Sequence, residues 1–372
     1  MIFLLVSLLA GLILFWHIPA MEHIPPYRQN DQVSKKMSVI IPARNEEKNL
    51  QQLLESVHNQ SSLPFEIFVV NDQSEDRTKE VAESFKVKVL DNPPLPDGWL
   101  EKSWACWNGA KEAKGEWLAF LDADTMIEKN GLARIAENLE RTERKGILAV
   151  HPFHKIFKPY ESLSALFHLI IFGSFGAFYP FAKSSKPKGA FGQCLICRKD
   201  EYFLLGGHEA IKSEVVENMA MGKMAALKGK KVFSMSGKKA ISMRMYPNGL
   251  KELFRGWAKS FASAAGSAPL WCLALVIIWI GGVISFIFQL PKLWTGEWLP
   301  VLLVYVAFVI QLMTALSKTG SFRLWHILLF PIHGLFFIIV FLYSLFWTYG
   351  NKNAEWKGRK IILNKKESLE KK

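Results

Sequence analysis

Residues 117–124 read WLAFLDAD, an apolar run closed by two aspartates one residue apart. The run has the length and composition of a buried strand, and the acids fall where such a strand must end. Asp122 and Asp124 repel each other, and each raises the other's pKa unless positive charge lies between them. A divalent cation is the usual partner of paired carboxylates, and oxygen ligands suit Mg2+ or Mn2+. The pair therefore marks a candidate metal site, with solvated loop acids as the alternative.

Working outward, further short apolar runs lie at 37–43 (MSVIIPA), 65–72 (FEIFVVND), 86–91 (KVKVLD) and 147–152 (ILAVHP). Between the first two, Leu50, Leu53, Leu54 and Val57 recur at helical spacing. Alternation of this kind predicts an α/β fold with a mostly parallel sheet covered by helices. Such sheets bind ligands beyond the carboxyl ends of their strands. Those ends are PARNEE, NDQSED and DADT, so three polar termini are expected to line one nucleotide-binding crevice. Taken singly, Asn45 with Glu46 reads as a helix cap and Asp72 as a turn residue.

A metal on the acid pair would take phosphate as its other partner. Asp72 can accept from a base N–H or a ribose hydroxyl, and Lys102, ahead of the DAD strand, can offset diphosphate charge. These residues point to a nucleoside diphosphate donor.

Half of the chain is hydrophobic, and its formal net charge is +13. No basic-aromatic module suggests nucleic acid, so the charge is assigned to anionic lipid headgroups. Residues 1–20 read as an N-terminal transmembrane anchor, and Arg28, Lys35 and Lys36 after it place the following domain in the cytoplasm. C-terminal membrane segments are expected within 270–348, near 270–290, 299–317 and 325–348. Three full spans would put the basic tail, 349–372, outside the cell, whereas its lysines favour the cytoplasm. The PIHG stretch at 331–334 offers a break that makes the last segment re-entrant. Residues 160–182 suit an interfacial helix or a core helix. Of four cysteines, Cys194 and Cys197 form a lone CxxC with no second pair, which reads as two buried thiols on a strand.

The stretches VIIPARNEEKNL (39–50), VVNDQSEDRT (69–78) and FLDADT (120–125) resemble the successive motifs of family 2 glycosyltransferases, which have the GT-A fold. Residues 98–124, 204–222, 256–266 and 354–360 are similar to membrane-bound members of that family acting on lipids. The resemblance implies a cytoplasmic catalytic domain over 37–262 in a bacterial cell membrane. It also implies Mg2+ or Mn2+, a UDP-sugar donor carrying glucose, and single-step inversion at the anomeric carbon. On that basis Pro42, Ala43, Arg44 and Glu46 would line the nucleotide pocket, and Asp72 would hold uracil. Asp122 and Asp124 would form the DxD pair, with Asp124 the metal ligand and a catalytic residue. Lys102 occupies the lysine of a Trp-x-Gly-Lys pattern in which Glu101 replaces glycine. Trp257 matches the acceptor-side tryptophan.

One departure bears on the acceptor. The family's second acid after the GG turn, its general base, is here Asn218, preceded by Glu217. Either Glu217 or Glu214 replaces it, or the acceptor needs no base. A hydroxyl acceptor needs one, whereas a carboxylic acid is already ionised at neutral pH. The loss of the aspartate is therefore compatible with an acid acceptor, and the resemblance implies a carotenoid acid. A hopanoid, diacylglycerol, ceramide-like lipid or polyprenyl phosphate is the alternative acceptor, and a membrane scaffold or transporter with a degenerate nucleotide domain is the non-enzyme alternative.

Overall fold

The computed structural model describes residues 1–21, 33–142, 146–174, 190, 192–264, 269–294, 296–350, 354–356 and 359–361. Arg28, residues 175–182, and the basic tail apart from a hairpin of Ala354–Trp356 with Arg359–Ile361 lie outside them.

Ten strands follow in chain order: β1 Met37–Ala43, β2 Glu66–Asn71, β3 Lys88–Asp91, β4 Trp117–Leu121, β5 Thr125–Ile127, β6 Ile147–His151, β7 Phe153–His154, β8 Cys194–Arg198, β9 Val232–Ser236 and β10 Ile241–Met243. Seven form one sheet in the order β3-β2-β1-β4-β8-β6-β9, and β5, β10 and β7 form a small second sheet. Within the large sheet β8 is antiparallel to β4 and β6, and the other pairings are parallel. Each expected strand is present; β1 keeps its expected bounds and the others are shorter by one to three residues.

β1 explains the layering. Its side chains alternate, with Val39 and Ile41 entering one core and Ile40 the other. The first core takes Leu50, Leu53, Leu54 and Val57 of α2 (Glu47–His58), and is closed by α3 (Thr78–Ser84) and α5 (Gly131–Arg141). The second takes Ala105, Cys106 and Ala110 of α4 (Glu101–Glu112), with α7 (Lys199–Leu205) and α8 (Glu217–Leu227) alongside. α4 lies so close that a Cβ on Gly109 would meet Ile40 Cγ2 at 2.6 Å. The CxxC pair sits on β8 as two buried free thiols. Three residues apart on a strand, Cys194 faces the first core and Cys197 the second, so they cannot share a metal.

The remaining helices, α1 (Ile2–Leu14), α6 (Ala165–Ser174), α9 (Leu250–Ala264), α10 (Leu270–Ile287), α11 (Trp298–Thr319), α12 (Leu324–Leu328) and α13 (Phe330–Gly350), share a third, aromatic core. α10 and α11 are long and apolar enough to cross a membrane. α1 is not. At about 1.5 Å per residue its 13 residues reach about 20 Å, short of a hydrocarbon core of about 30 Å. It packs on α10, where a Cβ on Gly282 would overlap Ser7. α6 is buried in the third core rather than lying on a surface. The last apolar segment divides at Leu329, ahead of the PIHG stretch, and Pro331 stands in the first turn of α13, where a missing N–H costs nothing. The end of α11 is tied to the strands β9 and β7. Ser236 Oγ donates to the Lys318 carbonyl, and Ser321 N donates to the His154 carbonyl at 2.9 Å.

Candidate active site

β1 pairs with β2 through Ala43 but with β4 only through Ile40. Pro42 has no N–H to give, and beyond Ile40 the two strands part. The chain runs outward from β1 through β2 to β3 and then returns to β4 on the other side of β1, so the opening lies at the switch point where open sheets bind ligands. Pro42 and Ala43 form its floor, opposite Val70 and Asn71 in register.

The loops after β1 and β2 are laced together. Asn45 N donates to Ser74 Oγ (3.1 Å), Glu75 N to Asn45 Oδ1 (2.8 Å) and Glu47 N to Asp76 Oδ2 (3.2 Å). Asn45 therefore does not cap α2. Glu46 holds the cap position without a side-chain cap bond, and its carboxylate accepts from Asn49 at 2.7 Å. Asp76, from the neighbouring loop, does the capping. Burial raises its pKa, but the hydrogen bonds from Thr78 and the Glu47 N–H outweigh that and leave it lowered.

Asp72 is buried just past β2. Asn92 Nδ2 donates to its Oδ1 (2.8 Å), and Asn108 Nδ2 donates to Asn92 Oδ1 (2.8 Å), which fixes the carboxylate's orientation. Oδ2 has no hydrogen-bond partner. Arg44 Nη1 stands 3.5 Å from it, close enough for charge but long for a hydrogen bond. A buried carboxylate oxygen left open is costly unless a donor arrives to fill it.

The acid pair has a positive partner within the chain. Lys102, in the first turn of α4, bridges Asp122 Oδ1 (2.6 Å) and Glu217 Oε1 (2.5 Å). The α4 end is held there by Leu100 N donating to the Lys212 carbonyl (2.8 Å) and by Trp99 packed edge-on against Trp104. Lys102 is thus engaged with two carboxylates rather than turned out to await a diphosphate. Burial works against its charge, but Asp122 and Glu217 outweigh that and hold the ammonium well above the usual lysine range. Burial pushes Asp122 up to about 7, and Asp124 and Glu217 add to this against the pull of Lys102. Glu217 is raised by burial too, but Lys102 dominates and leaves it below the usual carboxylate range. Asp124 is exposed, three residues past the end of β4. The turn between β4 and β5 is set by Thr125, whose N–H (3.1 Å) and hydroxyl (2.7 Å) both donate to the Asp122 carbonyl.

Among the described residues no cluster of three or more His, Cys, Asp or Glu has the arrangement to hold a metal alone. Two carboxylates at a solvent-facing strand end still fit a magnesium-like ion, which draws most of its ligands from phosphate and water.

Glu217 opens α8. Asn218 donates to the Gly192 carbonyl at 2.7 Å, tying that turn to the segment before β8. Glu214 is exposed on the approach. His208, which sequence patterning did not single out, is buried behind Glu217, against the Tyr202 hydroxyl at 2.9 Å, and burial lowers it to about 4. Asn92 and Asn108 were equally silent in the sequence, since a lone amide carries no periodicity. Trp257 lies apart from this cluster, 2% exposed in the third core. It stacks on Phe167 at 4.7 Å and donates to Ser164 Oγ at 3.0 Å.

Residues 38–200 match the family described as glycosyl transferase family 2. The chain is 32% identical over 342 residues to a 4,4'-diaponeurosporenoate glycosyltransferase of Staphylococcus haemolyticus, covering 90% of this chain and 91% of that one. It is 30% identical over 341 residues to the protein of the same name from Staphylococcus aureus strain MRSA252, with 90% of each covered. Among solved structures it is similar to a mannosyltransferase from Pyrobaculum calidifontis in complex with GDP-Man and Mn2+. The TM-score is 0.51 at 14% identity, over 91% of this chain and 99% of that one, a likeness of fold.

Proposed function

The chain belongs to glycosyl transferase family 2 and is a glycosyltransferase, and from that premise we propose that it transfers glucose from UDP-glucose to the carboxylate of a membrane-soluble carotenoid acid. The observation that carries the donor half is the buried carboxylate of Asp72 just past β2, whose Oδ1 is held by Asn92 while its Oδ2 accepts no hydrogen bond. A uracil N3–H is the donor that oxygen lacks, and the Pro42–Glu46 segment borders the same opening. A divalent cation, Mn2+ or Mg2+, would be held by Asp124, with Asp122 as the second carboxylate, and when bound it neutralises charge on the diphosphate.

The chain's own residues do the rest. Lys102 keeps Asp122 and Glu217 from repelling a polyanionic donor, and it lies within reach of both acids. The acceptor oxygen attacks the anomeric carbon as the bond to the diphosphate oxygen breaks, so the sugar inverts and UDP leaves. Proximity and charge placement supply the rate. Glu217, lowered by Lys102, is a weak base. Asn218 is engaged with backbone and cannot take a proton. An acceptor that arrives ionised needs neither. Two relatives carry the name of an acid glycosyltransferase, which supports the same class. α10, α11 and the apolar face around them would hold the protein in a membrane, with the catalytic half on the cytoplasmic side and the acceptor's tail in lipid.

The test offers purified protein, Mn2+ and UDP-glucose with carotenoid acids and with alcohol lipids (diacylglycerol, hopanoid) side by side. Transfer to the acid is expected. Preference for the alcohol would overturn the acceptor assignment, and transfer from GDP-sugars in place of UDP-sugars would overturn the donor.

A further inference from the structure

A second cavity, of about 640 Å3, opens at the far edge of the sheet from the crevice. It is bounded by β9, the last turn of α5, the chain leaving α1, and the C-terminal turns of α11. β8 and β6 separate β9 from β4, so this cavity takes no part in the site built on Asp72, Lys102 and Asp122. Its lining includes apolar side chains, Leu12, Phe15 and Ile18. It also includes Arg141, Lys318 and Asn138. Glu137 also lines it and pairs with Arg141 at 3.3 Å, so its fixed charges sum to one net positive.

Its level relative to a bilayer follows from two observations. Lys318 stands one residue before the end of α11, one of the two helices long enough to cross, and that end is bonded to the catalytic half through Ser236. Trp16, on the rim, is 65% exposed. Tryptophan and a terminal lysine mark the boundary between hydrocarbon and headgroups. A cavity at that level, lined by apolar side chains as well as by Arg141 and Lys318, offers both of the contacts that a phospholipid makes across its glycerol region.

We propose that this cavity binds the headgroup of an anionic phospholipid, phosphate toward Arg141 and Lys318 and acyl chains along Leu12 and Phe15. The proposal rests on the reading that α10 and α11 span a membrane. A bound lipid would seat the β9 edge of the catalytic sheet at a set height above the bilayer.

Native mass spectrometry of the full chain in mild detergent tests it, with phosphatidylglycerol, diacylglycerol and inorganic phosphate as separate probes. A phosphatidylglycerol adduct is expected to survive, and diacylglycerol is not. Arg141→Gln and Lys318→Gln should each lower retention roughly fivefold, and Arg141→Lys should restore it. Equal retention of diacylglycerol, unchanged retention in the double variant, or displacement by inorganic phosphate overturns the proposal. Flotation of each variant on phosphatidylglycerol vesicles, with circular dichroism for folding, separates the two readings. The double variant should still float, whereas a wild-type chain that does not float contradicts the membrane reading instead.

Discussion

The crevice and the third core both draw polar side chains away from water, less completely in the crevice, and satisfy them in opposite ways. In the crevice the groups are charged and answer one another: Lys102 lies between Asp122 and Glu217, and Arg44 stands over Asp72. In the third core and at its junction with the sheet most are neutral. Trp257 donates to Ser164, Trp279 donates to Gln311, and His168 bridges His151 and His154 at 3.4 and 2.8 Å. Burial holds all three imidazoles below their ordinary pKa, His154 at about 3, so they stay uncharged at neutral pH. An unpaired charge is costly in either place, and in the crevice the charged side chains stay partly exposed, so a cation and a diphosphate can reach them. The polar interior therefore divides into a part that holds charge for chemistry and a part that avoids it for packing.

That contrast can be broken most sharply at Asp124. It is exposed, so Asp124→Ala should fold as well as wild type, while turnover falls about 10²- to 10³-fold, the usual loss for one group that stabilises transition-state charge. Steady-state kinetics with a Mn2+ titration checks both halves, and unchanged turnover would remove the residue from the site.

Lys102 comes next. Lys102→Met leaves Asp122 and Glu217 facing each other and should cost about 2–3 kcal/mol in urea unfolding, less than a fully buried pair because the side chains are partly exposed. The pH dependence has a definite sign. Asp122 is raised in the fold, so its contribution is fully present below its unfolded pKa of 3.8 and is lost as pH rises toward about 7. Glu217 is lowered, so its contribution is present above its unfolded pKa of 4.5 and is lost as pH falls through the folded value. Asp122→Asn should flatten the decline between about pH 4 and pH 7, measured as the midpoint of thermal unfolding. A slope identical to wild type would contradict the charge assignment.

Asp72→Asn sharpens the donor side. It keeps the Asn92 contact in shape but gives the base a donor in place of an acceptor. The donor KM should rise roughly 10- to 100-fold with kcat little changed, the size of one hydrogen bond to a charged group. The smallest effect is expected at Trp257→Phe. The ring can still stack on Phe167, the bond to Ser164 is lost, and stability should fall by about 1 kcal/mol with the donor KM unmoved. A rise in the acceptor KM there would show that the third core reaches the acceptor.

The two regions were also unequally legible in the sequence. Strand ends are local, so PARNEE, NDQSED and DADT announced the sheet without any long-range information. What Lys102 does was hidden, because Glu217 is remote in the chain and only the fold brings its helix end to α4. The antiparallel place of β8 between β4 and β6 was hidden for the same reason, although its two buried thiols were readable. In the third core nearly every contact is of this kind, as with Gln311 donating to the Leu8 carbonyl 303 residues away. Hydropathy located those helices but not their lengths, and α1 proved shorter than its apolar run because helical geometry ends at Leu14.

The central claim is that the acid pair beside Lys102 receives a divalent cation together with a nucleotide sugar. Calorimetric titration of Mn2+ into the full chain, with and without UDP-glucose, tests it most directly. Tight binding only when both are present, abolished by Asp124→Ala, is the result expected. No heat from either ligand, or equal binding by the alanine variant, would contradict it.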